Sequence, residues 1–318
     1  MKIIDIAQRS NAWHVWRRRG VTASDAAVLL GRSPYKTLWR LWAEKTGIAV
    51  EEDVSRNPFV QYGLCNEDIA RQAFEARHGE ILLPVCVEDE ALPLMRASLD
   101  GHLANQAPVE LKCPGSKVWE AVRAKGAESE TFRLCYPQVQ HQILVTGADD
   151  GYLVFWHQGE IQEFQIPRDG PLIRSLIEKA MDFWKRVESK QEPAKDPERD
   201  VFTPKEGEQV AQWAEAAERY QILNAQITAL KERLEGLKAE QGRHRDTLKC
   251  LMGPYLRAQC GGIRVARYAV AGNIQYERLL QDKLPALPQE EIERYRDAPS
   301  ERCCVRVIAP KQQNTAWR

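Results

Sequence analysis

The chain has no excess of either charge. Its 45 lysines and arginines balance 45 aspartates and glutamates over 318 residues, so any nucleic-acid contact has to come from local asymmetry. No apolar run reaches the length of a membrane span, and residues 1–10 hold no apolar leader core, so a soluble cytoplasmic protein is expected. The eight cysteines, at 65, 86, 113, 135, 250, 260, 303 and 304, contain no Cys-x-x-Cys pair. That spacing suits neither a zinc site nor an iron–sulfur cluster, and buried free thiols are expected. A Walker A sequence is also missing, so no use of ATP is expected.

What is present is unevenly spread. Residues 1–50 hold nine basic side chains against three acids, and residues 51–100 hold eleven acids against four arginines. At this length one large domain with an appendage, or two domains, can bury a real core. From about residue 3 to 187, apolar residues alternate between helical and strand periods, which predicts a mixed α/β domain over 1–190. Helices are predicted at 24–30, 38–45, 59–78, 137–146 and 172–187, with Pro137 near a helix start and Gly147 past its end. Strands are predicted at 82–87, 94–100 and 109–112, and a hairpin pairs 152–156 with 161–166 about Gln158-Gly159. Residues 191–206, polar and rich in proline, read as a linker into a 207–318 extension. There, Trp213, Ala216, Tyr220, Leu223, Ile227, Leu230, Leu234 and Leu237 alternate spacings of three and four, a heptad seam on a helix of about 207–252. A two-helix hairpin is the competing reading. A small β segment is predicted at about 262–278, and the charged end after Pro288 is left unassigned.

The densest chemistry lies in Ser98-Leu99-Asp100, followed ten residues later by Glu110-Leu111-Lys112. On a strand, side chains at i and i+2 share a face, so Glu110 and Lys112 converge while Leu111 turns inward. A hairpin-like pairing sets Asp100 beside Glu110. Two hard carboxylates and a cation then surround one point, as a divalent metal, a water and a phosphodiester require. Upstream, Glu67 either pairs with Arg71 at i, i+4 or adds a carboxylate to the same cleft. Gln138 and Gln142, one helical turn apart, are either solvated or orient a water or a ligand. Arg17, Arg18 and Arg19 precede Thr22 and Ser24 where the next helix begins, a combination that can bind phosphate. Ser24 reads equally well as an N-cap, Asp25 weighs against an anion there, and Trp13 and Trp16 read as core.

Together, 13–25, 63–71, Ser98-Leu99-Asp100-Gly101, Glu110-Leu111-Lys112, and 136–142 through 145–147 resemble, in order, the YqaJ-type viral recombinases, relatives of lambda exonuclease in the PD-(D/E)xK nuclease superfamily. The resemblance implies a restriction-endonuclease-like core, a mixed central sheet flanked by helices, here with a C-terminal helical, coiled-coil extension and short strands. It implies a Mg²⁺-dependent exonuclease, with Mn²⁺ as the alternative ion, that degrades the 5′ strand of duplex DNA from an end and leaves a 3′ tail. By motif, Asp100, Glu110 and the Leu111 carbonyl would hold metal, Lys112 would activate or position the water, and Glu67 and Gln138 would assist. Arg17, Thr22, Ser24 and Ser98 would take the 5′-phosphate. The resemblance further implies double-stranded DNA ends as substrate, a single-strand annealing protein as partner and a homotrimer.

Leu99 stands where the superfamily pattern has proline, a position that gives no ligand. The region after about 200 has no counterpart in the shorter lambda enzyme. Two other readings remain: another nuclease of this fold, an endonuclease or a RecB-like module, and a non-catalytic DNA-end adaptor.

Overall fold

The chain is seen here as a computed structural model that describes residues 1–204 and 207–268. They fall into two compact units, Met1–Thr203 and a second beginning at Pro204. In the first, β1 (Lys2–Ile4), α1 (Asn11–Arg18) and β2 (Val21–Thr22) lead through a 3₁₀ turn (Ala23–Asp25) into α2 (Ala26–Leu29), α3 (Leu38–Lys45) and α4 (Pro58–His78). There follow β3 (Val85–Glu88), β4 (Met95–Leu99), β5 (Gly101–His102), β6 (Pro108–Lys112), α5 (Ser116–Lys125) and α6 (Glu130–Thr146). The hairpin β7 (Asp150–His157) and β8 (Glu160–Pro167), then α7 (Gly170–Glu188), complete the unit.

The expected mixed α/β class is what the chain adopts, but the sheet hydrogen bonding is interrupted. Strands run β1-β3-β4-β2 on one side and β5-β6-β7-β8 on the other, with β2–β4 and β6–β7 parallel and the remaining pairs antiparallel. The two halves meet at Asp100, between β4 and β5. Gly101 makes the break possible, since a Cβ there would lie 2.7 Å from the Leu82 Cβ. Only a residue without a side chain lets the strand pass so close. The turn then pairs Gly101 with Val109, which sets Asp100 beside Glu110.

Helix α6 ties the two halves together. Its Val145 is buried among Val87, Met95 and Ala97, while Val139 and Ile143 are buried against Leu153 and Phe155. A third cluster seats Ala70 and Phe74 of α4 on Val109, Leu111 and Val154. Each such large apolar side chain contributes about 1.5–3 kcal/mol as an upper bound. The expectation that this helix starts at Pro137 is corrected: it starts at Glu130, where the Ser129 hydroxyl accepts from the Phe132 N–H at 3.3 Å. Pro137 therefore sits in the helix interior, tolerated because the only bond it forfeits is to the carbonyl of exposed Arg133.

The segment read as a linker is held on the first unit as far as Asp200. Trp39 Nε1 donates to Glu192 at 2.6 Å, Thr37 donates to Asp200 at 2.6 Å, and Arg199 donates to the Ser33 carbonyl at 3.0 Å. In the second unit, α8 (Glu208–Leu251) is one uninterrupted helix, against the competing hairpin. A short hairpin of β9 (Arg257–Cys260) and β10 (Ile263–Ala266) follows. The strand expected from Ile263 ends at Ala266, and its partner β9 was not anticipated. The rest of the predicted β segment, Cys303, Cys304 and the charged end lie outside the described residues. Among the described residues, no helix is long and apolar enough to cross a membrane.

Candidate active site

Strand β6 alternates as its sequence dictates: Leu111 is buried beneath α4, and Glu110 and Lys112 share the opposite face. Glu110 is buried and fully engaged. Its Oε1 accepts from Lys112 Nζ at 2.5 Å and Gln138 Nε2 at 2.6 Å, and its Oε2 accepts from Gln142 Nε2 at 2.5 Å. Both amides project from α6, so the i, i+4 spacing makes a clamp on a single carboxylate. The sequence weighs Gln142 together with Gln138, as solvated or as orienting a water or a ligand, while the resemblance carries a role to Gln138 alone. The structure buries Gln142 completely, with Oε1 lacking a hydrogen-bond partner, so among the described residues its side chain bonds Glu110 alone.

Asp100 is more open. Its Oδ2 accepts from the Leu111 N–H at 2.9 Å. Burial, and then the charge of Glu110, raise its carboxyl well above the usual range against the pull of Lys112. Burial alone would lower the Lys112 ammonium, but Glu110 and Asp100 outweigh it and keep the lysine firmly protonated. The adjacent Cys113 thiol is pushed up to about 11, by burial and then by Glu67 and Asp100, so it stays a neutral thiol.

Glu67 does not join the carboxylate pair directly. Arg9 forms an ion pair with it, and Arg71 reaches it at 3.3 Å while donating to the Asp100 carbonyl at 3.2 Å. Among the described residues, no group of three or more His, Cys, Asp or Glu side chains is arranged to hold a metal. The donor set is thus two carboxylates, Asp100 and Glu110, with the Leu111 carbonyl on the same strand. Mg²⁺ commonly takes one or two carboxylates and keeps its waters, so this set fits it.

The arginine-rich stretch converges on a second cluster. Arg17 donates to the Ser24 hydroxyl at 2.7 Å, Ser24 and Thr22 hydroxyls lie 3.1 Å apart, and the Arg17 guanidinium sits 4.5 Å over the Trp13 ring. Trp13 in turn donates to the Ser98 hydroxyl at 2.9 Å. Trp16 is buried as expected, whereas Trp13 is half-buried and carries Arg17, a role the sequence reading missed. The helix-terminus argument is also corrected. Asp25 takes the Thr22 N–H and hydroxyl, both at 2.9 Å, and pairs with Lys45 at 3.0 Å. Burial would raise this carboxyl, but Lys45 and Arg17 hold it far below the ordinary range, so the helix start is already occupied by an anion. Strand β4 links the two clusters. Ser98 and Asp100 follow the alternation opposite buried Ala97 and Leu99, which puts them roughly 6.5 Å apart on one face.

Residues 12–149 match the sequence model of the YqaJ-like viral recombinase domain. The matched stretch includes Arg17, Ser98, Asp100, Glu110, Lys112 and both glutamines of the clamp. The chain is 29% identical to the uncharacterized protein YqaJ of Bacillus subtilis (strain 168) over 192 residues, 58% of each chain. It is 51% identical over 41 residues to protein D345L of African swine fever virus, 13% of this chain and 12% of the viral one. It thus spans less than two thirds of the length of either relative. Among solved structures, the alkaline exonuclease LHK-Exo of Laribacter hongkongensis is 22% identical, at a TM-score of 0.48 over 57% of this chain and 94% of that one. A phage related exonuclease of Haemophilus somnus 129PT is 16% identical, at a TM-score of 0.42 over 54% and 94%.

Proposed function

We propose that the YqaJ-like domain is a Mg²⁺-dependent nuclease that removes the 5′ strand of duplex DNA from an end and leaves a 3′ single-stranded tail. The observation that carries this reading is the corner where Asp100 meets Glu110 and Lys112, one strand repeat from the Arg17 cluster. Asp100, Glu110 and the Leu111 carbonyl would hold the metal, which when bound polarises a phosphate oxygen and makes a water nucleophilic. The protein's own groups divide the remaining work. Gln138 and Gln142 fix Glu110 in one orientation without altering the charge count. Lys112, paired with Glu110 at 2.5 Å, serves to orient water and to stabilise the charge that builds on the reacting phosphate. Glu67 acts through Arg71 on the Asp100 backbone. Arg17, with the hydroxyls of Ser24 and Ser98, offers donors to a terminal 5′-phosphate, and Thr22, whose hydroxyl proton is held by Asp25, lines the same pocket beside Ser24.

On this reading the 3′ tail is handed to a single-strand annealing protein in the cytoplasm of a bacterial or phage-infected cell, and a homotrimer around the duplex supplies processivity. The test is digestion of linear duplex labelled at either the 5′ or the 3′ end, with Mg²⁺ and with Ca²⁺. Loss of the 5′ label first, in Mg²⁺ only, is expected. Arg17→Ala is expected to erase the preference for 5′-phosphorylated over 5′-hydroxyl ends. Linearisation of closed circles without preference for ends would overturn the assignment in favour of an endonuclease.

A further inference from the structure

Helix α8 is about 66 Å long, and no residue of it is buried. Leu223, Ile227, Leu230, Leu234 and Leu237 are between 41% and 65% exposed, although they form an unbroken heptad seam. With Ile227 and Leu234 at the first core position and Leu223, Leu230 and Leu237 at the fourth, the residues bordering the seam follow from the sequence. The bordering positions hold Arg219, Lys231, Arg233, Lys238 and Arg245 against one acid, Glu240. The carboxylates of this helix lie instead on the outer positions, as Glu215, Glu218, Glu232, Glu235 and Asp246. Lys238 and Arg245 reach Glu235 and Asp246 there, at 2.9 and 3.8 Å.

We propose that the α8 seam docks an amphipathic helix of another protein whose own borders are acidic. The charge pattern selects this occupant. In a parallel pair of identical helices Arg233 would face Lys238 of the second copy, and only Glu240 with Arg245 would attract. In an antiparallel pair Lys231, Lys238 and Arg245 would face one another. An acid-bordered partner meets five cations while covering the apolar stripe. Duplex DNA would use the cations but leave that stripe in water, since the basic residues flank an apolar seam and do not form one basic face. Gln241 and His244, where the seam turns polar, would set the partner's register.

The probes are two fluorescent synthetic peptides of four heptads, leucine-rich at core positions, one bordered by glutamate and one by lysine. Each is titrated against the full chain by anisotropy at physiological salt. The glutamate-bordered peptide is expected to bind at least about tenfold more tightly than the lysine-bordered one. Leu230→Asp with Leu234→Asp removes the binding. The charge swap Arg233→Glu with Lys238→Glu, which leaves the apolar seam intact, reverses the preference. In sedimentation the Leu230→Asp, Leu234→Asp chain keeps the wild-type assembly mass. Equal binding of both peptides, or binding that survives both sets of substitutions, overturns the proposal. A fall in assembly mass in the Leu230→Asp, Leu234→Asp chain assigns the seam to a second copy, and a loss of duplex DNA binding assigns it to nucleic acid. Neither variant touches the nuclease site, so end-labelled digestion stands or falls separately.

Discussion

Glu110 accepts three hydrogen bonds and Asp100 one, and that inequality shapes the chemistry available at the corner. Glu110 is locked, while Asp100 keeps an oxygen for exchange. Gln142→Leu keeps the side-chain bulk but leaves a buried carboxylate oxygen undonated, a loss of about 1–3 kcal/mol at that group. It is expected to lower cleavage about 10- to 100-fold and to raise the Mg²⁺ concentration at half-maximal rate. An unchanged Mg²⁺ dependence would show that the clamp has no part in metal binding. The period-2 rule was enough to put Glu110 and Lys112 on one face, and the turn after Asp100 was enough to bring the second acid alongside. Arg9 at Glu67 and Trp13 under Arg17 were not legible. The Arg9 contact spans 58 residues of chain, and an indole that bears a guanidinium has the same local pattern as one in a core.

At the scale of elements, α6 carries three consecutive polar side chains, Gln140, His141 and Gln142, all wholly buried. The sequence predicts a helix through them all the same; Pro137, which reads as a helix start but lies inside the helix, is why the true start at Glu130 escaped the sequence reading. By contrast α3, α7 and the β7–β8 hairpin follow clean apolar periods and were legible almost to the residue. His141 donates to the Arg96 carbonyl at 3.0 Å, and burial lowers its pKa to about 4. Between about 6.5 and 4 the unfolded chain binds the extra proton, so stability is full above that window and falls as pH drops through it. The loss amounts to about 3 kcal/mol. Urea midpoints measured from about pH 7.5 to about pH 4.5 are expected to fall accordingly, and to fall less steeply in His141→Asn. Equal slopes in the two proteins would mean that another group controls the acid limb.

For the whole molecule, the three apolar clusters all lie between Met1 and Val187, inside the first unit. A chain ending at Thr203 is therefore expected to fold and to keep cleavage, as judged by circular dichroism and nucleotide release. Aggregation or inactivity of that fragment would show that the rest of the chain is needed to complete the nuclease. The balanced overall charge concealed what local charge displayed: the basic first 50 residues hold the Arg17 cluster, and the acidic stretch after them supplies Glu67 and Asp100. The most direct test of the account is Asp100→Asn, a near-isosteric change that keeps a side-chain oxygen for the Leu111 N–H. Release of acid-soluble nucleotide from linear duplex and affinity for the duplex end are measured on the same preparation. The account predicts that release is abolished in Mg²⁺ while end binding persists; undiminished release from a folded variant would contradict it.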